Sequence, residues 1–499
     1  MATIAHPREE VDRAVREALD AVRNAADASA AEAEAAVWVA LLGLGRALMA
    51  WFFAIRAARY AANDTTYEHG GLSYRLAGRE QAEVGTRFGK VTFERPVGRV
   101  PGAPRWKRDL PLDRELGLAC GFTLSVVTTM ARLCAQMAFA SARDVYRSLF
   151  AWSPSQRAVL RMVDATGAEA RRFLEEAPPP EDDGDVLVLT VDGKGAPTIS
   201  SAERQRRAQP RKVRGKNARH ARKARRRQQP RPRRAPGKKS KNAKVAAVGV
   251  LYTLRTMDDG RLEGPVNKRV YATFESYRAL YEWIHEEAKK RGYGTTKFRK
   301  VLFIADGAET LWELQKEYFP DAAVCIDWYH VVEKLWAAGK AICRGSRRRR
   351  TQLEAWVATQ KRRLRKGLLN EVLTEIQRAL SATALTGPGN KYRRKVLGEV
   401  LAHLTKNAPR LRYAELRRQD LDIGSGVVEG AVRNLVGVRL DGPGMRWGRG
   451  RSEAVLHLRC ILLNGQWKDF EGHLAQRPIS LAAQPAPARP YDAVPRKAA

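Results

Sequence analysis

Apolar runs and amphipathic stretches follow one another along this chain in an order that predicts its elements. From Glu9 to about Ala62 the residues are Ala-rich helix formers, with no Gly before Gly43, which predicts one or two long helices. Between Thr65 and Asp109 the pattern changes to Gly, Pro, Thr and Arg around Val91-Thr92-Phe93-Glu94-Arg95-Pro96-Val97, and this reads as short strands and turns. Leu110-Pro111-Leu112-Asp113 opens a second helical block, and helical pieces run from Leu118 to Glu176. Inside that block Ser153 is the expected cap, and Pro154 the opening residue, of the helix through Gln156-Arg157-Ala158-Val159-Leu160. Two helices about such a turn have the form of a helix–turn–helix DNA reader, and equally of any packed helix pair.

After the linker Pro178-Pro179-Pro180-Glu181-Asp182-Asp183-Gly184, the run Val186-Leu187-Val188-Leu189-Thr190-Val191 is apolar without alternation. Such a run predicts a strand covered on both faces, as in an α/β sheet. Val245 to Leu254 and Arg269 to Phe274 predict two more strands, and Tyr277 to Arg291 a helix. Lys300 to Ala305 and Ala322 to Ile326 are a fourth and fifth strand around the helical stretch Glu309 to Tyr318, before a long helical stretch from Val331 to Arg418. Three strands in meander followed by alternating helices and strands is the element order of a ribonuclease H-like domain.

Charge then narrows the function. Across 499 residues, 90 Lys+Arg stand against 54 Asp+Glu, a net charge of +36, which calls for a polyanionic partner. The segment Ala202 to Lys244 alone holds 20 basic residues and one acid, Glu203; it cannot form a packed core and is expected to be disordered when free. The 5 cysteines, Cys120, Cys134, Cys325, Cys343 and Cys460, form no C-x-x-C pair, which suits a reducing compartment. Ala35 to Ile55 is apolar enough to suggest a membrane span, but Arg46 lies at its middle, where a charge costs about 2.5–3.5 kcal/mol. A cytoplasmic protein without a membrane partner is the expectation.

The acidic candidates lie at element ends. Asp192 stands in Val191-Asp192-Gly193-Lys194-Gly195 and Asp306 in Ala305-Asp306-Gly307, each expected at or just beyond the end of a strand. Polar groups at the carboxyl ends of strands in an open α/β sheet converge at a crevice. Two carboxylates there suit Mg²⁺, which prefers one or two carboxylates plus water and substrate phosphate. Glu429, in Gly424-Ser425-Gly426-Val427-Val428-Glu429-Gly430, offers a third at the start of a new helix. Taken singly, Asp-Gly after a strand is also a common turn. In Asp327-Trp328-Tyr329-His330 the Asp and His share a face if a helix starts there, and Asp327 serves equally as an N-cap. Arg439, Arg446, Trp447 and Arg449 sit in a Gly-rich cluster near Glu429, suited either to phosphate pairing and base stacking or to a solvated loop with Trp447 packed beneath it.

Together, Asp192-Gly193, Phe303-Ile304-Ala305-Asp306-Gly307, Asp327-Trp328-Tyr329-His330, Gly424-Ser425-Gly426-Val427-Val428-Glu429 and Gly444-Met445-Arg446-Trp447 resemble the DDE transposases of bacterial insertion sequences, in particular the ISKra-type group, which looks related to Mutator-like transposases. The resemblance covers about Leu110 to Trp467. It implies Asp192, Asp306 and Glu429 as catalytic and metal-binding residues, with Asp327 and His330 as an accessory D-x-x-H motif. Mg²⁺ is the implied cofactor, with Mn²⁺ as a substitute. The chain departs from the group in lacking cysteine pairs before Leu110 and in its long basic insert.

The fold class expected is multidomain α/β plus helical: a ribonuclease H-like catalytic domain with an all-helical insertion, preceded by a helical DNA-binding region. The expected divisions are N-terminal helices for oligomerisation or DNA binding (1–64), a strand-containing and helix–turn–helix-like DNA-binding region (65–180), the first part of the core (181–330) with a disordered basic insert (199–244), the helical insertion (331–420), a closing helical part (421–470) and a disordered tail (471–499). The implied partner is double-stranded DNA, at transposon ends and target, bound by a homodimer or higher oligomer. Phosphate contacts are expected from Arg204, Arg214, Arg222, Arg225, Arg226 and Arg233 in the insert and from Arg347 and Arg348 in the insertion. Two other classes stay open at this point: a non-catalytic or domesticated nucleic-acid-binding protein, and an RNA-guided or structure-specific nuclease of the same fold, for which an RNA guide is the partner.

Overall fold

The structure is a computed structural model, and it describes residues 7–60, 65–104, 108–119, 121–200, 205, 243–343, 349–442 and 445–477. The basic insert's arginines 204, 214, 222, 225, 226 and 233, and Arg347 and Arg348, lie outside the described residues. The chain forms two compact units, one of residues up to Phe173 together with those from Gly465 onward, the other of Leu174–Asn464.

In the first unit, the predicted N-terminal helices are α1 (Pro7–Arg23) and α2 (Ala30–Ala58). Ser29 starts α2 through a capping box, its hydroxyl accepting from the Glu32 backbone N–H while the Glu32 carboxylate accepts from the Ser29 N–H. Strands β1 (Thr66–His69), β2 (Leu72–Thr86), β3 (Gly89–Arg99) and β4 (Arg108–Asp109) make an antiparallel sheet in that order. Strands β2 and β3 are longer than the short pieces expected, because β2 continues through a bulge between Leu76 and Arg79 that allows it past Gly78. Phe53 of α2 stacks on Phe93 at 4.7 Å and shares a core with Ala82, Val84, Val91 and Leu112. Among the described residues α2 is the one helix long and apolar enough to cross a membrane. Helices α3 (Pro111–Glu115), α4 (Leu124–Gln136), α5 (Phe139–Phe150) and α6 (Gln156–Glu176) follow. The cap of α6 is Ser155, whose hydroxyl accepts from the Ala158 N–H, and not Ser153, whose hydroxyl accepts from Arg147. A last helix, Trp467–Gln476, starts in the expected closing helical part and runs on into the first residues of the expected tail: Phe470 and Leu474 give it a buried face, and Phe470 packs against Phe173.

The second unit is a mixed α/β structure with a helical excursion. Strands β5 (Val186–Ile199), β6 (Ala243–Thr256) and β7 (Leu262–Thr273) are antiparallel to one another, whereas β8 (Lys300–Ala305) and β9 (Ala323–Ile326) run parallel to β5, giving the order β7-β6-β5-β8-β9. Val186 to Leu189 are fully buried, as an unalternating apolar run requires when both faces are covered. Between β7 and β8 lies α7 (Tyr277–Arg291), which begins at the Ser276 cap and ends at Gly292 in the left-handed region. Helix α8 (Glu309–Tyr318) joins β8 to β9. The excursion consists of α9 (Trp328–Ile342), α10 (Arg349–Arg365), α11 (Leu369–Ser381), α12 (Asn390–Lys406) and the short α13 (Tyr413–Arg418). The chain then returns through α14 (Gly426–Val432), a π-helical turn over Arg433–Gly437, the short α15 (Val438–Leu440) and α16 (Arg449–Leu463). Trp447–Gly448 adds a two-residue parallel bridge, β10, to the far end of β5 at Thr198–Ile199.

Candidate metal centre

Strand register places the three aspartates side by side. Val191 of β5 pairs with Ala305 of β8, and Ala305 pairs with Ile326 of β9, so Asp192, Asp306 and Asp327 are each one step beyond a mutually paired row. Neighbouring strands lie about 4.8 Å apart, and in-register residues face the same way, so the row brings the carboxylates together. Asp192 was expected at or just beyond the end of its strand but sits within it, opposite Val248, because β5 continues along β6 after its pairing with β8 has stopped. Pairing of β5 with β8 therefore stops at the row just before the two aspartates.

The three aspartates differ in what they already hold. Asp327 is fully buried, caps α9, and has both oxygens occupied: Oδ1 accepts from the Ser425 N–H at 2.6 Å, and Oδ2 accepts from the His330 N–H at 2.9 Å and pairs with His330 Nδ1 at 2.6 Å. Burial pushes its carboxyl up, but the bonds from His330 and Ser425 outweigh burial and hold it below the usual range. Among the described residues Asp192 accepts only from the adjacent Gly193 N–H at 2.6 Å, and Asp306 from the Ala308 N–H at 2.8 Å. Burial raises the Asp192 carboxyl, with the charge of Asp306 adding to it and Gly193 and His330 opposing it.

His330 joins the pair from α9. One ligand atom from each of Asp192, Asp306 and His330 lies within 4.8 Å of the others, a spacing that a single divalent ion can bridge. With Nδ1 committed to Asp327, the ring has Nε2 left for a ligand, the carboxylate–histidine–metal pattern that fixes ring orientation. The bond to Asp327 raises His330 to about 9 against the opposing effect of burial, so without a metal the ring carries a proton that an ion must displace. Two carboxylates and an imidazole fit a divalent cation; the oxygen-rich pair suits Mg²⁺ or Mn²⁺, and the imidazole adds a nitrogen ligand of the kind that later first-row ions prefer.

Glu429 is not brought into this group. It stands exposed on the first turn of α14, tied by its N–H to the Ser425 carbonyl at 2.9 Å. The helix carrying it continues into the π-helical turn that packs on β5, a rare irregularity concentrated at functional sites.

Two of the residues expected to contact DNA are buried in the structure. Arg439 is only 2% exposed and Trp447 only 6%; the guanidinium lies 4.7 Å from the indole centroid, and Trp447 Nε1 donates to the Leu440 carbonyl. The pair is a buried cation–π contact, and Trp447 offers no free face for base stacking. Arg446 and Arg449 are exposed, and Arg449 has partners within the protein.

Two polar side chains beside the aspartates went unnoticed in the sequence. The Tyr277 hydroxyl lies over Gly193, and burial together with the charges of Asp306 and Asp192 pushes it up to about 12. His403, from α12, lies over Gly307 and is lowered by burial and then by Lys334, against the pull of Asp306. The small residue after each aspartate was the available signal.

No protein-family model matches this chain. No curated protein matches it. Among solved structures, the chain is similar to the Drosophila P element transposase strand transfer complex, at 11% identity over 69% of this chain and 93% of that chain, with a TM-score of 0.29, below that of a shared fold.

Proposed function

We propose that this chain is a DDE-type DNA transposase of the ISKra-like group, with a ribonuclease H-like core, that cuts DNA at the ends of its own element and transfers the freed strand into target DNA. The observation that carries this reading is the in-register pair Asp192 and Asp306 with His330 beside it, in a chain of net charge +36. The strand order, antiparallel on one side of β5 and parallel on the other, supports the ribonuclease H-like assignment.

Asp192, Asp306 and His330 would hold a divalent cation, Mg²⁺ or Mn²⁺, and such an ion supplies charge neutralisation and an activated oxygen for attack at phosphorus. Water attack forms a new P–O bond and breaks the P–O3′ bond, releasing a 3′-hydroxyl that then attacks a target phosphodiester. Asp327 orients His330 and keeps its Nδ1 engaged. Glu429, on α14, is the third carboxylate by resemblance and meets the reacting groups once DNA is bound. The basic insert and exposed arginines neutralise phosphates of the two DNA partners, and synapsis of two ends calls for at least a dimer. The compartment proposed is the cytoplasm, at the nucleoid.

The test is incubation of the purified protein with labelled DNA from the flanks of its own gene, in Mg²⁺, Mn²⁺ or EDTA. Metal-dependent nicking at a discrete flank position, absent in Asp192→Ala, supports the proposal. A second reading, a domesticated binding protein that no longer cuts, is favoured by the separation of Glu429 from the cluster; salt-sensitive binding with no cut in any metal is its signature. Cutting that requires added RNA would instead favour a guided nuclease.

A further inference from the structure

Gly193 and Gly307 each follow an aspartate of the centre, and neither has positive φ, so a left-handed turn is not the reason for either glycine. Space is the reason. A Cβ on Gly307 would lie 2.3 Å from His403 Cε1 and 3.1 Å from Nδ1, and a Cβ on Gly193 would lie 2.2 Å from the Tyr277 hydroxyl. Each glycine makes room for a polar ring from a helix distant in sequence.

His403 is the more telling of the two. It comes from α12, deep in the helical excursion, and reaches the residue next to Asp306. Its Nε2 is shut off from solvent and has no hydrogen-bond partner among the described residues. A shielded ring nitrogen without a partner costs free energy, and native proteins retain such groups where a ligand, ion or water completes them. The charged groups around it are Asp306 on the loop after β8, His330 and Lys334 on α9, and Lys406 on its own helix. An apolar residue would fill the space over Gly307 at lower cost; an imidazole there implies an oxygen to meet.

We propose that His403 is an outer-sphere contact of the cation at Asp192, Asp306 and His330, its Nε2 pairing with a water carried by that ion. The inference rests on the cation site of the preceding section and extends it: the helical excursion delivers a side chain to the centre, and Gly307 exists to admit it. Outer-sphere partners of this kind govern metal affinity by roughly 10–100-fold.

The test is Mn²⁺ titration of the full-length, DNA-free protein, followed by the electron paramagnetic resonance signal of free Mn²⁺. Thermal melts establish that each variant is folded. Asp192→Ala is expected to remove the site. His403→Ala is expected to weaken Mn²⁺ binding by about 10-fold or more, and His403→Gln, whose amide reaches the same place, to recover part of the loss. Gly307→Ala is expected to weaken binding like His403→Ala in the wild-type background and to add nothing on top of His403→Ala, because the clash is then gone. Wild-type affinity in folded His403→Ala, with binding lost in Asp192→Ala, overturns this inference and leaves the cation site standing. No saturable Mn²⁺ uptake by the wild-type protein overturns the cation site and this inference with it.

Discussion

The carboxylate of Asp327 and the backbone N–H of Ser425 are hydrogen-bonded at 2.6 Å across 98 residues of chain. The same carboxylate caps α9 and orients His330, so one buried group closes the base of the helical excursion and aligns a ligand of the centre. Replacing Asp327 by Ala leaves the Ser425 N–H and His330 without their acceptor. Hydrogen bonds to a charged group contribute about 1.5–3 kcal/mol each, so a loss of several kcal/mol is expected in urea unfolding. A loss below about 1 kcal/mol would show that the excursion is closed by other contacts.

Glu429 and Asp192 are expected to separate metal binding from cutting. Glu429 lies outside the group of ligand atoms that Asp192 belongs to. In DNA-free protein, Glu429→Ala is predicted to bind Mn²⁺ as the wild type does, whereas Asp192→Ala does not. Both are predicted to lose strand cleavage. Calorimetric Mn²⁺ titration beside the nicking assay checks the pair, and equal loss of Mn²⁺ affinity in both variants would place Glu429 in the resting site.

Acid stability is predicted to depend on Glu453. Its carboxylate is part-buried on α16, where it accepts from the Thr273 hydroxyl at 2.5 Å and the Phe274 N–H at 2.8 Å, with His457 Nε2 at 3.3 Å from Oε1. Burial pushes its carboxyl up, but His457, Thr273 and Phe274 together hold it below the ordinary 4.5. With the folded value below the unfolded one, this stabilisation is complete above pH 4.5 and is lost as pH falls through the folded value. Urea midpoints measured from pH 6 down to pH 3 should fall more steeply for the wild type than for Glu453→Gln.

DNA affinity is predicted to fall steeply with salt, with the basic insert carrying much of the dependence. Replacing Arg222, Arg225, Arg226 and Arg233 by Gln should flatten the slope of log affinity against log salt by about 0.9 for each phosphate contact removed. Fluorescence anisotropy over a salt series measures it. An unchanged slope would assign those arginines another role.

The central sheet was legible because its physics is local. The runs Val186 to Val191 and Val301 to Ala305 are almost wholly apolar on both faces and are followed by an aspartate, and such runs have few alternatives to a buried strand. The long hairpin of β2 and β3 was not, because Gly78 and the bulge beside it break the alternation into pieces. Asp192 stands out in the sequence as an acidic candidate, but its place inside β5 does not, since strand length is set by the partner β6, which no pattern within β5 reveals. The burial of Arg439 and Trp447, and the approach of Tyr277 and His403 to the aspartates, are products of tertiary packing between segments far apart in sequence. Asp-Gly is also a common turn signal; at Gly193 and Gly307 the structure adds a steric reason for the glycine, the approach of Tyr277 and His403.

The account stands on one cation held between Asp192 and Asp306, and Mn²⁺-soaked crystals read at the manganese absorption edge test it most directly. The predicted result is an anomalous peak between the two carboxylates, within reach of His330 Nε2 and absent from crystals of Asp306→Ala. Saturating Mn²⁺ that gives no peak there, or a peak only elsewhere in the protein, would contradict it.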